Sequence, residues 1–185
     1  MNKKIYLLII AATFFSCSKQ SKLQKDFLCK NTSFSNIETV EDFKGKFSID
    51  IPKHWKTQLY FDDIQTQIIT ADTTKNFTNT YAINTEYNSG NLIINDAFTT
   101  KIKEELDNNN LHILKEQIDI FKEKKCYWTV SQGKKTKYDY YFFELFVKSN
   151  KKNYLRITTD IYGSENIDDR FCESLSIIET LKILN

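Results

Sequence analysis

The chain has 185 residues, 41% hydrophobic and 14% aromatic, enough for one well-filled core, and its 4 Gly and 1 Pro mark no linker between domains. Its 26 basic and 24 acidic residues nearly cancel, which excludes nucleic-acid binding driven by a large net positive field. So few glycines make phosphate-cradling loops hard to build, and no P-loop, G-x-G-x-x-G, G-x-S-x-G or H-E-x-x-H pattern occurs.

Lys3 and Lys4 precede an apolar run from Ile5 to Phe15, which ends at Ser16-Cys17. A basic start, a short apolar run and a small-residue cleavage site describe a secretory leader, and the run falls short of the ~20 residues a spanning helix needs. Phe14-Phe15-Ser16-Cys17 resembles a bacterial lipobox, although Phe stands where the pattern prefers Leu and then a small residue. That resemblance implies a leader over 1–16 and acyl chains on Cys17, and two or more chains give stable anchoring. Ser18 follows the cysteine, and Ser18 to Lys22 contains no acid. By resemblance to lipoprotein sorting, this implies the outer membrane and its periplasmic face. Without residues 1–16 the counts become 24 basic (26 − 2) against 24 acidic, so the mature chain is neutral. Residues 17–42 read as a lipidated polar tether whose end, Ile37 to Phe43, packs on a single domain spanning 43–185.

Phe47, Ile49 and Ile51 alternate with polar residues in a strand stopped by Pro52. Trp55 follows in a turn at the core edge. Gln58–Phe61 and Ile64–Ala71 form a hairpin around Asp62-Asp63, and Thr80–Tyr87 alternates as another strand. Phe98, Ile102 and Leu106 share one helical face over 96–106, with Asn95 or Asp96 as the cap. Strands then cover 112–121 and 126–132, Gly133 turns the chain, and 137–147 and 154–161 pair as the next hairpin. A second amphipathic helix spans 166–178, with Phe171, Leu175 and Ile178 inward, and Leu181 and Ile183 close the chain in a short extended tail. The expected fold is α+β: a mainly antiparallel sheet of about six to eight strands packed with two amphipathic helices.

Phe47 to Trp55, with its proline and tryptophan, resembles the opening of PsbP-like sandwich domains, and Phe171 to Ile183 resembles their closing element. The resemblance covers about residues 43–184 and implies an accessory or partner-binding domain without a shared catalytic set. His54 replaces the small residue often found before that tryptophan.

Cys17 is assigned to lipid, and Cys126 alternates with Trp128 and Val130 as a small buried hydrophobe. Cys29 and Cys172 are then expected to pair, fastening the lead-in to the last helix. A metal site is the alternative, with only His54 and His112 to supply imidazole and no zinc-like spacing. Lys122, Lys124, Lys125, Lys134, Lys135 and Lys137 read as solvated hairpin ends, with Glu123 and Asp139 among them. The candidate ligand or partner face is His54 and Trp55 together with Tyr138, Tyr140 and Phe142, a strand apolar on both sides. These residues point first to a lipid-anchored domain acting by contact with a protein partner in the cell envelope, without catalysis, cofactor, metal or nucleic acid. The second reading is a carrier or sensor of a small apolar ligand or peptide on the aromatic face. The third is a hydrolase centred on His54.

Overall fold

Alternating apolar strands with tight turns pair with their neighbours, and the computed structural model shows how far that pairing extends. It describes residues 21–30 and 32–184; the leader and Cys17 lie outside the described residues. The elements are α1 (Lys22–Asp26), β1 (Ile37–Glu41), β2 (Phe47–Pro52), β3 (Lys56–Phe61), β4 (Gln65–Ala71), β5 (Tyr81–Ser89), α2 (Asp96–Asn108), β6 (Leu111–Phe121), β7 (Lys124–Lys135), β8 (Tyr138–Lys148), β9 (Asn153–Tyr162), α3 (Ile167–Ile178) and β10 (Lys182–Ile183). Seven strands form one antiparallel sheet in the order β3-β4-β5-β9-β8-β7-β6, and β1-β2-β10 form a second. The fold is α+β, with ten strands in two antiparallel sheets and three helices among the described residues.

The two helices expected from periodicity lie on opposite faces of the large sheet. Phe143, Leu145 and Val147 of β8 join Trp128, Leu155 and Ile157 in a core closed by Phe171, Leu175 and Ile178 of α3 and by Phe47, Ile49 and Ile51 of β2. Tyr140 and Phe146, on the other side of β8, join Tyr127 and meet Ile102 and Leu106 of α2. Asn95 caps α2, its side-chain oxygen accepting from the Phe98 amide at 3.0 Å. At 13 residues α2 is only ~20 Å long. It packs against β6, so the β4–β5 half of its face is left without a helix.

Two expectations need correcting. Gly133 does not make the turn: it lies within β7, opposite Leu111, and the hairpin turns at Thr136-Lys137 between the paired Lys135 and Tyr138. A Cβ at Gly133 would stand 2.4 Å from the Asn110 carbonyl oxygen. The glycine is therefore needed where the α2–β6 connection crosses β7, not for a turn conformation. The stretch read as a polar tether is also folded from Lys22 onward. Leu23 is buried, the Phe27 ring lies 5.1 Å from Trp128 and 4.7 Å from Phe171, and β1 pairs with Ser48 to Pro52 of β2. Two apolar residues four apart are too few to show helical periodicity in a polar run.

Cys29 and Cys172 form a disulfide joining the segment after α1 to α3 across 143 residues of chain. Cys126 is the free, buried cysteine among the described residues, and burial pushes its thiol up to about 12. Removing the bridge in Cys29→Ser/Cys172→Ser should lower unfolding free energy by about 2–4 kcal/mol in urea titrations, because it closes a long loop. Gly133→Ala should cost about 1–3 kcal/mol by the same measurement, because the neighbour is backbone and cannot swing aside.

Candidate functional site

Where α2 ends its coverage of the sheet, a cleft of about 380 Å³ opens. Its walls include Glu105 and Leu106 from α2, Lys135 from β7, Tyr140 and Glu144 from β8, and Arg156 and Asp160 from β9. A second cleft, about 580 Å³, lies further toward the N-terminus of α2 on the same side; it shares Glu105 and Arg156 and adds Glu86, Phe98 and Phe146. Arg156 thus stands where the two meet.

Strand register explains the charge cluster. Arg156 lies directly across from Glu86 on β5 and from Phe146 on β8, one diagonal step from Glu144. Its Nε donates to Glu144 Oε1 at 2.6 Å, and its guanidinium lies 3.6 Å from Glu86. Glu144 is 4% exposed, and burial raises its carboxyl above the ordinary range despite Arg156. Burial works against the charge on Arg156 too, but Glu144 and Glu86 outweigh it and hold the guanidinium protonated. Nearby, the Tyr140 hydroxyl donates to Asp160, and burial followed by that carboxylate raises its ionisation well beyond the usual range. The Lys135 ammonium sits 4.8 Å from the centre of the Tyr140 ring. On the far side of α2, burial opposes ionisation of Glu116, yet Lys103 at 2.6 Å and the Tyr127 hydroxyl at 2.5 Å hold its carboxyl below the usual range.

Tyr138, Tyr140 and Phe142 do share one face. Tyr140 stacks near Phe142 at 6.0 Å and meets Tyr162 at 4.9 Å, while Phe77 bridges Tyr138 and Tyr162 at 5.6 and 4.3 Å. His54 and Trp55 are not brought to this face. Trp55 is buried in the α3-side core, edge-on to Tyr81 at 5.2 Å. His54 is exposed, 3.7 Å from Asp72. Asp72 is itself committed to its turn, accepting from the amide and hydroxyl of Thr74 at 3.0 and 2.6 Å. Burial opposes its charge, but Thr74, Lys75 and His54 together hold its carboxyl below the ordinary range. Among the described residues no group of three or more His, Cys, Asp or Glu is placed to hold a metal.

Sequence reading missed Glu86, Glu144, Arg156 and Asp160. One signal was available: Glu144 interrupts the apolar run Tyr141-Phe142-Phe143-Glu144-Leu145-Phe146, and a charge inside such a run demands a partner. The aromatic face beside Tyr140 is therefore charged rather than apolar. The apolar cleft lies on the opposite face, about 310 Å³ among Phe27, Leu114, Val130, Tyr141, Phe143 and Phe171.

No family model matches the chain, and no curated protein matches it in sequence. Solved structures do share its fold. The Ran-binding protein Mog1p of Saccharomyces cerevisiae aligns at a TM-score of 0.54 and 7% identity, over 82% of this chain and 97% of its own. Cyanobacterial PsbP from Synechocystis aligns at 0.56 and 10% identity, over 84% and 96%. A Pseudomonas aeruginosa protein of unknown function, described as a putative regulator, aligns at 0.51 and 11% identity, over 82% and 99%. The chain therefore has the α+β fold of the PsbP and Mog1 domains, and at these identities the likeness concerns fold alone.

Arg156→Gln should destabilise the protein by about 2–4 kcal/mol at neutral pH, because Glu144 is left buried without its partner. Loss of the guanidinium raises the folded-state pKa of Glu144 further above the ordinary 4.5. A raised acid weakens the fold as pH rises through its folded pKa, so the deficit should shrink as pH falls toward that ordinary value. The double variant Glu144→Gln/Arg156→Gln should recover much of the loss in thermal melts.

Proposed function

We propose that this chain is a lipid-anchored binding or accessory domain of the cell envelope, acting by protein–protein contact rather than catalysis. Acyl chains on Cys17 hold it at the outer membrane with the domain in the periplasm. The observation that carries the contact role is the charged cleft beside α2. The fold buries Glu144 and positions Arg156, Asp160 and Lys135 around an opening that no element of the described chain fills. Such preorganised charge suits a polar partner segment, since complementary potentials set orientation and speed encounter. A fold used by a Ran-binding protein is compatible with this reading. The described chain is docked from Lys22, with Ser21 as the cap of α1, so any tether from Cys17 would end before it.

A photo-crosslinking residue at Glu105 should give one discrete adduct in intact envelopes, and the same residue at Glu41 on β1 should not. Charge reversal at Lys135 should reduce that adduct several-fold. Equal adducts from both positions would refute a partner at the cleft. Palmitate labelling should be lost in Cys17→Ser, and label retained there would remove the anchor.

A second reading keeps the carrier role but moves it. Charges around Tyr140 and Phe142 make that cleft a poor match for an apolar ligand, whereas the cleft under Phe27 and Phe171 is lined mainly by carbon.

A further inference from the structure

One end of the molecule gathers features that neither the cleft nor the cores use. The β3–β4, β6–β7 and β8–β9 turns and the loop before β2 all reach it. The Ser89 amide donates to the Ile64 carbonyl at 2.7 Å, the Gly90 amide to Lys152 at 2.7 Å, Lys124 Nζ to Ser149 at 3.0 Å and the Leu184 amide to Lys46 at 2.8 Å. Lys44 Nζ donates to the Asp62 carbonyl. These bonds place the turns side by side.

Three large apolar side chains stand out from this end: Phe43, Phe61 and Ile64, exposed to 61%, 62% and 65%. The Phe43 and Phe61 rings are 5.0 Å apart, so they form one patch rather than isolated exposures. Lysines surround it: Lys44, Lys46, Lys122, Lys124, Lys151 and Lys152. Lys44, Lys46 and Lys124 line a cleft of about 460 Å³. Lys122 is paired with Glu179 at 3.9 Å, and the nearby acids offset the other lysines only in part. Asp42 is buried, accepting from the Lys44, Lys46 and Phe47 amides, and Asp62 accepts from the Ile64 and Gln65 amides. Glu41, Asp62, Asp63 and Glu123 are the exposed carboxylates among these segments, four against six lysines.

The described chain also begins here. Lys22 pairs with Asp119 at 2.7 Å, close to the β6–β7 turn, while Lys115, further from that turn, reaches the Asp26 carbonyl at 2.6 Å. The N-terminus of α1 therefore points to the lysine-rich end, and the disulfide at Cys29 holds the segment there. Cys17 lies four residues before Ser21, within ~14 Å of extended chain.

We propose that this end is a membrane-contact surface, with Phe43, Phe61 and Ile64 entering the interfacial layer and the lysines meeting anionic phosphate headgroups. The orientation rests on the proposed acylation of Cys17; the apolar patch and its basic rim come from the fold. An aromatic wedge ringed by lysines binds such an interface through buried apolar area and charge together. A short tether then holds the domain flat against the lipid, with its β7–β8 turn directed away.

The test uses the full chain carrying Cys17→Ser and a nitrobenzoxadiazole label at Phe61→Cys or, at the far end, Lys137→Cys. The vesicles are equimolar phosphatidylglycerol and phosphatidylcholine. Emission should shift to the blue at position 61 and stay unchanged at 137, with little shift in phosphatidylcholine alone. Lys44→Glu/Lys152→Glu should weaken vesicle affinity by about tenfold or more. No shift at 61, or equal shifts at both positions as when the leader alone holds the chain, would overturn the proposal. Whether Cys17 is acylated is read separately by palmitate labelling, so the two failures are distinguishable.

Discussion

Strand β8 carries large apolar side chains on both sides, and neither set can be left in water. Tyr141, Phe143, Leu145 and Val147 point one way, Tyr140, Phe142 and Phe146 the other. Burying an aromatic or branched side chain contributes about 1.5–3 kcal/mol, so the sheet needs a cover on each face. One cover is α3 with β2 and α1. The other is α2 with Leu92 and Ile94. Strand order follows: β8 is flanked by β7 and β9 inside the sheet, and β3 and β6, which alternate less strictly, take the edges.

The two covers are unequal, and the candidate cleft arises from that inequality. The α3 side is closed by two elements plus the disulfide-held N-terminal segment. On the α2 side one helix lies against β6, and the uncovered strands carry Gln67, Asn84, Glu86 and Arg156 on that face. At the boundary a carboxylate, Glu144, is buried beneath the edge of the helix. Removing it from water is costly, and only the cross-strand guanidinium of Arg156 offsets that cost. A polar cleft next to an apolar core thus follows from a helix shorter than the sheet is wide.

The N-terminal segment shows how one covalent bond changes the character of a stretch of chain. From Lys22 to Cys29 the sequence buries little beyond Leu23 and Phe27. The bridge to Cys172 keeps it against α3, and Lys22 and Lys115 add bonds along β6. A mobile arm could present the domain in any direction. A docked one gives the molecule a defined end, where Phe43, Phe61 and the turn lysines lie.

Local pattern was enough for the strands, the two amphipathic helices, the antiparallel hairpins and the two-sided character of β8. Side-chain alternation and 3.6-residue periodicity are properties of neighbouring residues. By elimination among four cysteines, the sequence also singled out the pair that bridges. It could not show that Gly133 serves Asn110, 23 positions earlier, or that Trp55 and Tyr138 belong to different surfaces. Nor could it show that Glu144 would find Arg156 and Glu86, since the three residues come from three strands brought together by register. The sequence by itself determined which residues had to be buried. Only the tertiary structure decided which charges were buried with them and which lysines and phenylalanines were left together at one end, because those groupings depend on contacts between segments far apart in the chain.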